Sequence, residues 1–356
     1  MRQPLWSRPW NGLALLLAVS VAAGASPARA QATAVDTTVT VAPLRGPLHV
    51  LQCGGVVAAV ASVGPDGVLL VDTGVARTAG ALRRALAGLG AGPVRWIINT
   101  HGDLDHVGGN AALGEGADIL AHPETARQMS AYYALPPLPT AGLPTHPVAA
   151  ETTLACNGDL VRLEPVPGCH RASDLIVRFT RAGVVCLGDL VLTGTFADAA
   201  AERGGDAQRL AATLRRLQAE LPAGTLFVPG HGALLDRDGL QAYVGMLEGT
   251  LAAVRREVEA GHSLAEILRR NPLAPWAAWE RADDGLSFAD WTGDLYASLT
   301  GERIVSISAP LTADLMRDGI AAAIAACRRR LAAEPARWIA GENELNVCGY
   351  QLLARG

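Results

Sequence analysis

The chain has 356 residues, of which 50% are hydrophobic, 18% charged and 4% aromatic, a balance that excludes a disordered polypeptide, which needs low hydrophobicity and high net charge. A formal charge of −4 with no basic cluster argues against nucleic-acid binding. All 30 basic residues are arginine, so lysine bases, Schiff-base lysines and lysine anion clamps are excluded as well.

Arg2 and Arg8 precede an apolar run over residues 13–23, and Ala28-Arg29-Ala30 then supplies a small-x-small cleavage pattern. Residues 1–30 read as a secretory signal peptide whose apolar core is too short to span a bilayer comfortably. No second long apolar run occurs. The mature protein is expected to be periplasmic or secreted, without stable membrane insertion after cleavage. Residues 31–46 read as an N-terminal linker. Strands are predicted at 48–51, 56–63 and 68–71, the last two joined by the turn Pro65-Asp66-Gly67. Leu82, Leu86 and Leu89 then mark one face of a helix over 78–89. A short strand at 94–98 ends at Asn99-Thr100-His101.

A helix, a strand at 118–121 and a helix over 124–133 come next. They lead to a proline-rich loop at 136–147, which with Tyr132 and Tyr133 reads as either a lid or a plain surface connection. Strands follow near 160–165, 174–180 and 184–187, then a helix over 207–220 and a strand at 225–228. Beyond residue 236 the pattern is helical apart from a short strand at 305–308, and Trp276, Trp279 and Trp291 are expected to pack that segment on the main domain. Strands, then mixed elements, then helices suit an α/β or α+β sandwich with a helical C-terminal extension.

The six cysteines fit an oxidising compartment, and none forms a Cys-x-x-Cys pair. Cys327 and Cys348 can tie the C-terminal helix to the tail. Cys53, Cys156, Cys169 and Cys186 lie in or beside apolar runs, where small buried cysteine is the simple expectation; Cys169 also neighbours His170. His49, His146 and His262 have no partner by sequence and read as solvated. His122 ends a strand, as a surface residue or a support to the site.

The strongest chemical signal is Thr100-His101-Gly102-Asp103-Leu104-Asp105-His106-Val107-Gly108-Gly109. Four potential metal ligands fall within six residues, between an apolar strand and a glycine pair that opens a helix. Positions 101, 103 and 105 can project from an extended loop toward one point, and His106 toward a second. Imidazole and carboxylate together suit zinc, manganese or iron. His170, Asp189 and His231 (the last in Pro229-Gly230-His231-Gly232) each follow a predicted strand. Alone each is weak; in order behind the first motif they form a specific pattern.

In that order the residues resemble the metallo-β-lactamase-fold hydrolases, whose pattern is His-x-His-x-Asp-His, then a histidine, an aspartate and a late Gly-His. The hairpin Val63-Gly64-Pro65-Asp66-Gly67-Val68-Leu69-Leu70-Val71-Asp72-Thr73-Gly74 is similar to that family's N-terminal hairpin. The resemblance covers about 47–235, the expected catalytic domain, with 236–356 as a mainly helical extension. It implies an αββα sandwich of the α+β class. It also implies a small-molecule substrate and two divalent ions, zinc first, with iron or manganese as alternatives. One ion would take His101, Asp103 and His170; the other Asp105, His106 and His231, with Asp189 bridging and Asp72 supporting the loop. The implied reaction is attack by a metal-bound hydroxide on an ester, thioester, lactam or phosphoester, with Asp105 orienting the nucleophile or taking its proton.

The departure is Asp103, where the family pattern has histidine: either Asp103 ligates, or the first metal is weak or absent. A third carboxylate makes the site one charge less positive, which should acidify bound water less and favour harder ions. Restoring histidine is therefore expected to raise zinc occupancy. The alternatives are an iron-dependent oxygen or sulfur redox enzyme on the same fold, and a binding protein that has kept the fold without catalysis. With no lysine, a substrate carboxylate would need an arginine clamp, and Arg171 is the nearest candidate by sequence.

Overall fold

The computed structural model describes residues 38–54, 57–132, 140–281 and 286–302. The expected signal peptide, Cys327, Cys348, the 305–308 strand, Tyr133 and the part of the proline-rich loop up to 139 lie outside the described residues.

In chain order the elements are β1 (Val39–Pro43), β2 (Leu48–Cys53), β3 (Val57–Gly64), β4 (Gly67–Val71), α1 (Ala79–Gly88), β5 (Val94–Ile98), α2 (Leu104–Val107), α3 (Asn110–Leu113), β6 (Asp118–Ala121), α4 (Pro123–Tyr132), β7 (His146–Pro147), β8 (Thr152–Cys156), β9 (Asp159–Pro165), β10 (Leu175–Phe179), β11 (Val184–Leu192), α5 (Ala207–Glu220), β12 (Leu226–His231), α6 (Arg237–Glu259), α7 (Leu264–Arg270) and α8 (Phe288–Thr300). The first half-sheet runs β1-β2-β3-β4-β5-β6-β7 and the second β12-β11-β10-β9-β8. A single paired position, His231 opposite Val57, joins β12 to β3 among the described residues.

Period-two patterning explains the layers, because successive side chains of a strand face opposite ways and both ways are buried here. Val60, Leu69 and Val71 of the first half-sheet meet Val161, Leu163, Val177, Phe179 and Cys186 of the second between the sheets. Their neighbours Ala59, Ala61, Val68 and Leu70 point outward onto Leu82 and Leu86 of α1. On the far side, Ile176, Val185 and Leu187 pack against Leu210 and Leu214 of α5, Leu240, Tyr243 and Leu247 of α6, and Trp291 and Leu295 of α8. Helix, sheet, sheet, helix: the fold is the expected αββα sandwich of the α+β class, with C-terminal helices on one outer face.

Those helices share one core with the second half-sheet rather than forming a separate body. Trp291 is fully buried and its indole N–H donates to Thr250 Oγ1 at 3.0 Å, while Trp276 and Trp279 pack on the same cluster. Caps mark where these helices start. The Asp206 and Asp236 carboxylates accept from the backbone N–H groups of Arg209 and Gly239, and Ser287 with Asp290 forms a capping box on α8. No helix among the described residues is long and apolar enough to cross a membrane.

Three strands escape the hydrophobic pattern. β1 lies within the stretch expected as a linker, β7 within the expected proline-rich loop, and β8 is rich in threonine; all are edge strands with mostly exposed side chains, so alternating burial leaves little trace in their sequences. β11 also runs past its expected end, carrying Asp189 inside the strand. Gly188, at φ 51°, lets it do so: the ladder to β12 shifts register on both sides of that residue, and a Cβ there would sit 2.6 Å from Thr100 Oγ1.

Candidate metal centre

The seven residues singled out by sequence converge in two adjoining groups. His101, Asp103 and His170 form one, and Asp105, His106, Asp189 and His231 the other, each with donor atoms within 4.8 Å of one another. The first motif follows β5, and α2 begins at Leu104. That turn of helix carries Asp105 away from His101 and Asp103, so the three alternate positions do not share one point, as an extended loop would require. Asp105 instead reaches His231 Nε2 at 3.0 Å and His106 Nε2 at 3.4 Å. Asp189 lies between the groups. Its Oδ1 is 3.2 Å from His106 Nε2, and its Oδ2 is 3.4 to 3.7 Å from the Nε2 atoms of His231, His170 and His101.

Each buried imidazole is aimed through its other nitrogen. His106 Nδ1–H donates to Asp72 Oδ2 at 2.9 Å. Asp72 also accepts from the Thr100 N–H (2.8 Å) and hydroxyl (2.7 Å), which leaves the Thr100 oxygen to accept from His101 Nδ1–H at 3.1 Å. These bonds hold Asp72 in the left-handed region at φ 56°, a conformation that costs a non-glycine residue strain. His170 Nδ1–H donates to the Asp198 carbonyl at 2.8 Å. In all three rings Nδ1 is thereby committed and Nε2 is left facing the cluster, the atom a metal would take.

The residues fit divalent ions. His101 Nε2, His106 Nε2, His170 Nε2 and Asp189 Oδ1 are all sealed from solvent without a hydrogen-bond partner, an arrangement costly for a protein unless something else satisfies them. Gly230 keeps the space clear, since a Cβ there would lie 1.9 Å from Asp189 Oδ1. Electrostatics point the same way. Burial disfavours charge on His231, but Asp189 and Asp105 override it and raise its pKa to about 10. Burial and the neighbouring His106 instead push His101 down to about 3. Burial likewise opposes ionisation of Asp189, yet the surrounding histidines hold its carboxyl well below the ordinary range. Crowded, buried carboxylates make the cluster favour positive charge, which protons on its histidines or bound metal ions would supply.

Asp103 has an unexpected partner. Arg171, 2% exposed, spans it with two nitrogens: Nη2 to Oδ2 at 2.7 Å and Nε to Oδ2 at 3.1 Å. Burial raises the Asp103 pKa, and Arg171 outweighs that and carries it well below the ordinary range. The same bond explains why Asp103, the N-cap residue of α2, makes no side-chain cap. Arg171 Nη2 also donates to Asp198 Oδ2 at 3.0 Å, so the guanidinium is committed inside the protein and cannot serve as the substrate clamp suggested by its sequence position.

Sequence reasoning missed several supports. Asp174 accepts from the backbone N–H groups of Cys169, His170 and Arg171, shaping the turn that presents His170; burial pushes its carboxyl up to about 6. An aspartate four residues after a candidate ligand is the kind of signal that finds such a turn. Asn99 and Asn110 exchange two side-chain hydrogen bonds, and Thr73 adds a third that ties α3 to the end of β4. Asp198, in a loop of small apolar residues, carries no sequence signal. Cys169 turns away from the metal ligands to Thr213, 3.4 Å off, and burial raises its thiol to about 12. Cys53, Cys156 and Cys186 are buried free thiols. His146 is exposed, but His262 is half-buried and pairs with Glu257 at 2.7 Å, against the expectation of solvation, and His49 is half-buried with Nδ1 sealed.

A family profile described as the metallo-beta-lactamase superfamily matches residues 52–231. A hydroxyacylglutathione hydrolase of Anaeromyxobacter dehalogenans is 30% identical over 174 residues, 48% of this chain and 60% of its own length. The chain thus spans less than two thirds of that relative's length. Among solved structures, a metallo-beta-lactamase from Pontibacter korlensis is similar with a TM-score of 0.50 at 22% identity, over 59% of this chain and 99% of its own. A variant of the sec-alkyl sulfatase PisA1 is similar with a TM-score of 0.60 at 13% identity, over 84% of this chain and 57% of its own. That likeness covers more of the chain than the profile match does.

Proposed function

The chain belongs to the metallo-beta-lactamase superfamily, and on that premise we propose that it is an exported metal-dependent hydrolase of a small-molecule thioester or ester, with lactams and phosphoesters as lesser candidates. The observation that carries this reading is the set of four buried, unpartnered donor atoms of His101, His106, His170 and Asp189 converging between two carboxylate-rich groups. The thioester ranks first because a relative at 30% identity, from Anaeromyxobacter dehalogenans, is a hydroxyacylglutathione hydrolase. Lactams that rely on an anchored carboxylate rank lower: the chain has no lysine, and Arg171 is already paired.

Divalent ions in such a centre, with zinc the first choice, acidify water and polarise an acyl or phosphoryl oxygen. His101, Asp103 and His170 would hold one ion, and Asp105, His106 and His231 the other, with Asp189 between them. Asp72, Thr100 and Asp198 hold the three buried rings by Nδ1, with Nε2 facing the cluster. Asp105 stands beside His231, where its carboxylate can orient a water and accept its proton. The signal-peptide pattern of residues 1–30 supports a periplasmic or secreted location. The test is metal analysis of purified protein joined to a panel of thioester, ester, lactam and phosphoester substrates, with and without chelator. Zinc or manganese with chelator-sensitive thioester or ester turnover is the expected result. Stoichiometric iron with a visible chromophore and no turnover would replace it with the redox reading, which the Asp103 carboxylate favours, and a folded protein that binds no metal would leave a binding protein.

A further inference from the structure

We propose that the buried guanidinium of Arg171 makes the His101/Asp103/His170 position the weaker of two metal sites, so that ions load in a fixed order, the Asp105/His106/His231 position first. The inference rests on the metal-centre reading above and concerns how that centre fills.

The two positions differ in what their carboxylates already hold. Asp103 Oδ2 is the oxygen that faces His101 and His170, 3.8 and 3.7 Å from their Nε2 atoms. It already accepts two charge-assisted hydrogen bonds from Arg171, at 2.7 and 3.1 Å, while Gln128 donates to Oδ1 at 3.2 Å. An incoming cation would have to share that oxygen with a fixed positive charge. Asp105 Oδ2 faces only His231 and His106, and among the described residues no arginine pairs with it. Coulomb repulsion between a divalent ion and a guanidinium a few ångströms away is weakly screened in a buried site.

Arg171 cannot swing aside to relieve this. Its Nη1 donates to the His170 carbonyl at 3.0 Å, and its Nη2 to Asp198 Oδ2, which accepts from Arg203 at 2.9 Å as well. The Asp198 carbonyl aims His170, so ligand and guanidinium share one anchor. The helical extension fixes that anchor. The Ala199 N–H donates to Asp294 Oδ2 of α8 at 2.9 Å, the Ala207 N–H to Ser298 Oγ at 2.8 Å, and the Phe196 N–H to the Trp279 carbonyl at 3.1 Å. Arg171 is thus a positioning residue for the weaker site.

One consequence reverses the simple expectation for position 103. Asp103→His alone removes one of the two carboxylates that Arg171 pairs with and leaves the guanidinium, held by Asp198, beside a neutral imidazole, so it should weaken the second ion. Asp103→His combined with Arg171→Leu should strengthen it.

The test is a stepwise zinc titration of chelator-stripped full-length protein, read by calorimetry and by NMR of ¹⁵N-labelled histidine side chains. The first equivalent is expected to shift His106 and His231. The second, at least about tenfold weaker, should shift His101 and His170. Arg171→Gln should tighten the second phase at least about fivefold and leave the first unchanged. Two equal phases, or a first equivalent that lands on His101 and His170, would overturn the loading order while leaving the metal centre intact. Zinc that binds nowhere overturns the metal centre and the order together. Should Arg171→Gln fail to fold by circular dichroism, the wild-type titration decides alone.

Discussion

Half of the candidate centre is built from the first-motif residues Asp105 and His106 with His231, and half from His101 and Asp103 with His170. Both offer imidazole Nε2 atoms and one carboxylate, and both face Asp189. In the first, the carboxylate meets only histidines, and Asp72 directly orients the His106 ring. In the second, the carboxylate is bound by an arginine, and His170 leans on a backbone carbonyl whose loop is fastened by the C-terminal helices. The same ligand types therefore do not make equal sites; the charge and rigidity behind each carboxylate set how freely it can be used.

The largest effect that would test this contrast is at the shared residue. Asp189→Ala should remove ions from both halves and lower turnover on the order of a thousandfold; elemental analysis showing full metal content would break the assignment. Next comes the asymmetry itself. Asp105→Asn should cost about a hundredfold in kcat and Asp103→Asn about tenfold or less, and equal losses in steady-state kinetics would erase the distinction. Asp72→Ala should weaken the ion on the His106 side by about 10–100-fold and the ion on the His170 side by less, since Asp72 reaches that side only through Thr100 and His101, a difference that histidine NMR during zinc titration resolves.

The smallest effect concerns the brace. Burial, with Asp198 and Glu202 nearby, raises the Asp294 pKa well above the ordinary value. A carboxyl whose pKa is raised by folding favours the folded state while protonated, so its stabilisation is full below the unfolded pKa, about 3.8, and is lost as pH rises through the higher folded pKa. Asp294→Asn should therefore raise Tm by a few degrees at neutral pH, with the gain vanishing toward about pH 4. A constant gain at all pH values would show that the carboxyl is not the titrating group.

Much of this architecture was legible in the sequence, for reasons that can be named. α5 shows its buried face as Leu210, Leu214 and Leu217 at helical spacing, and the short strands of the sandwich are apolar on both faces, so period and length place them. The seven ligand candidates were legible because histidine is scarce and the spacing after β5 is dense. What stayed hidden depends on contacts distant in sequence. Arg171 looked available beside His170 because nothing in the sequence shows that Asp103, 68 positions earlier, faces it. Asp198 was invisible because its role is played partly by a backbone carbonyl, which no side-chain pattern records. β1, β7 and β8 were missed because edge strands need not alternate.

The single pairing of His231 with Val57 has one more consequence. The two half-sheets come from the two halves of the chain and pair as strands at that one described position; beyond it they are held by side-chain packing and scattered hydrogen bonds such as Leu175 N–H to the Thr100 carbonyl at 2.7 Å and Arg171 to Asp103. Each candidate ion would draw ligands from both: His101 and Asp103 with His170, and Asp105 and His106 with His231. Bound ions would then act as clasps across the seam of the sandwich. Chelation should accordingly loosen the amides along β3 and β12 in hydrogen exchange before it reaches those of β9, deep within its own half.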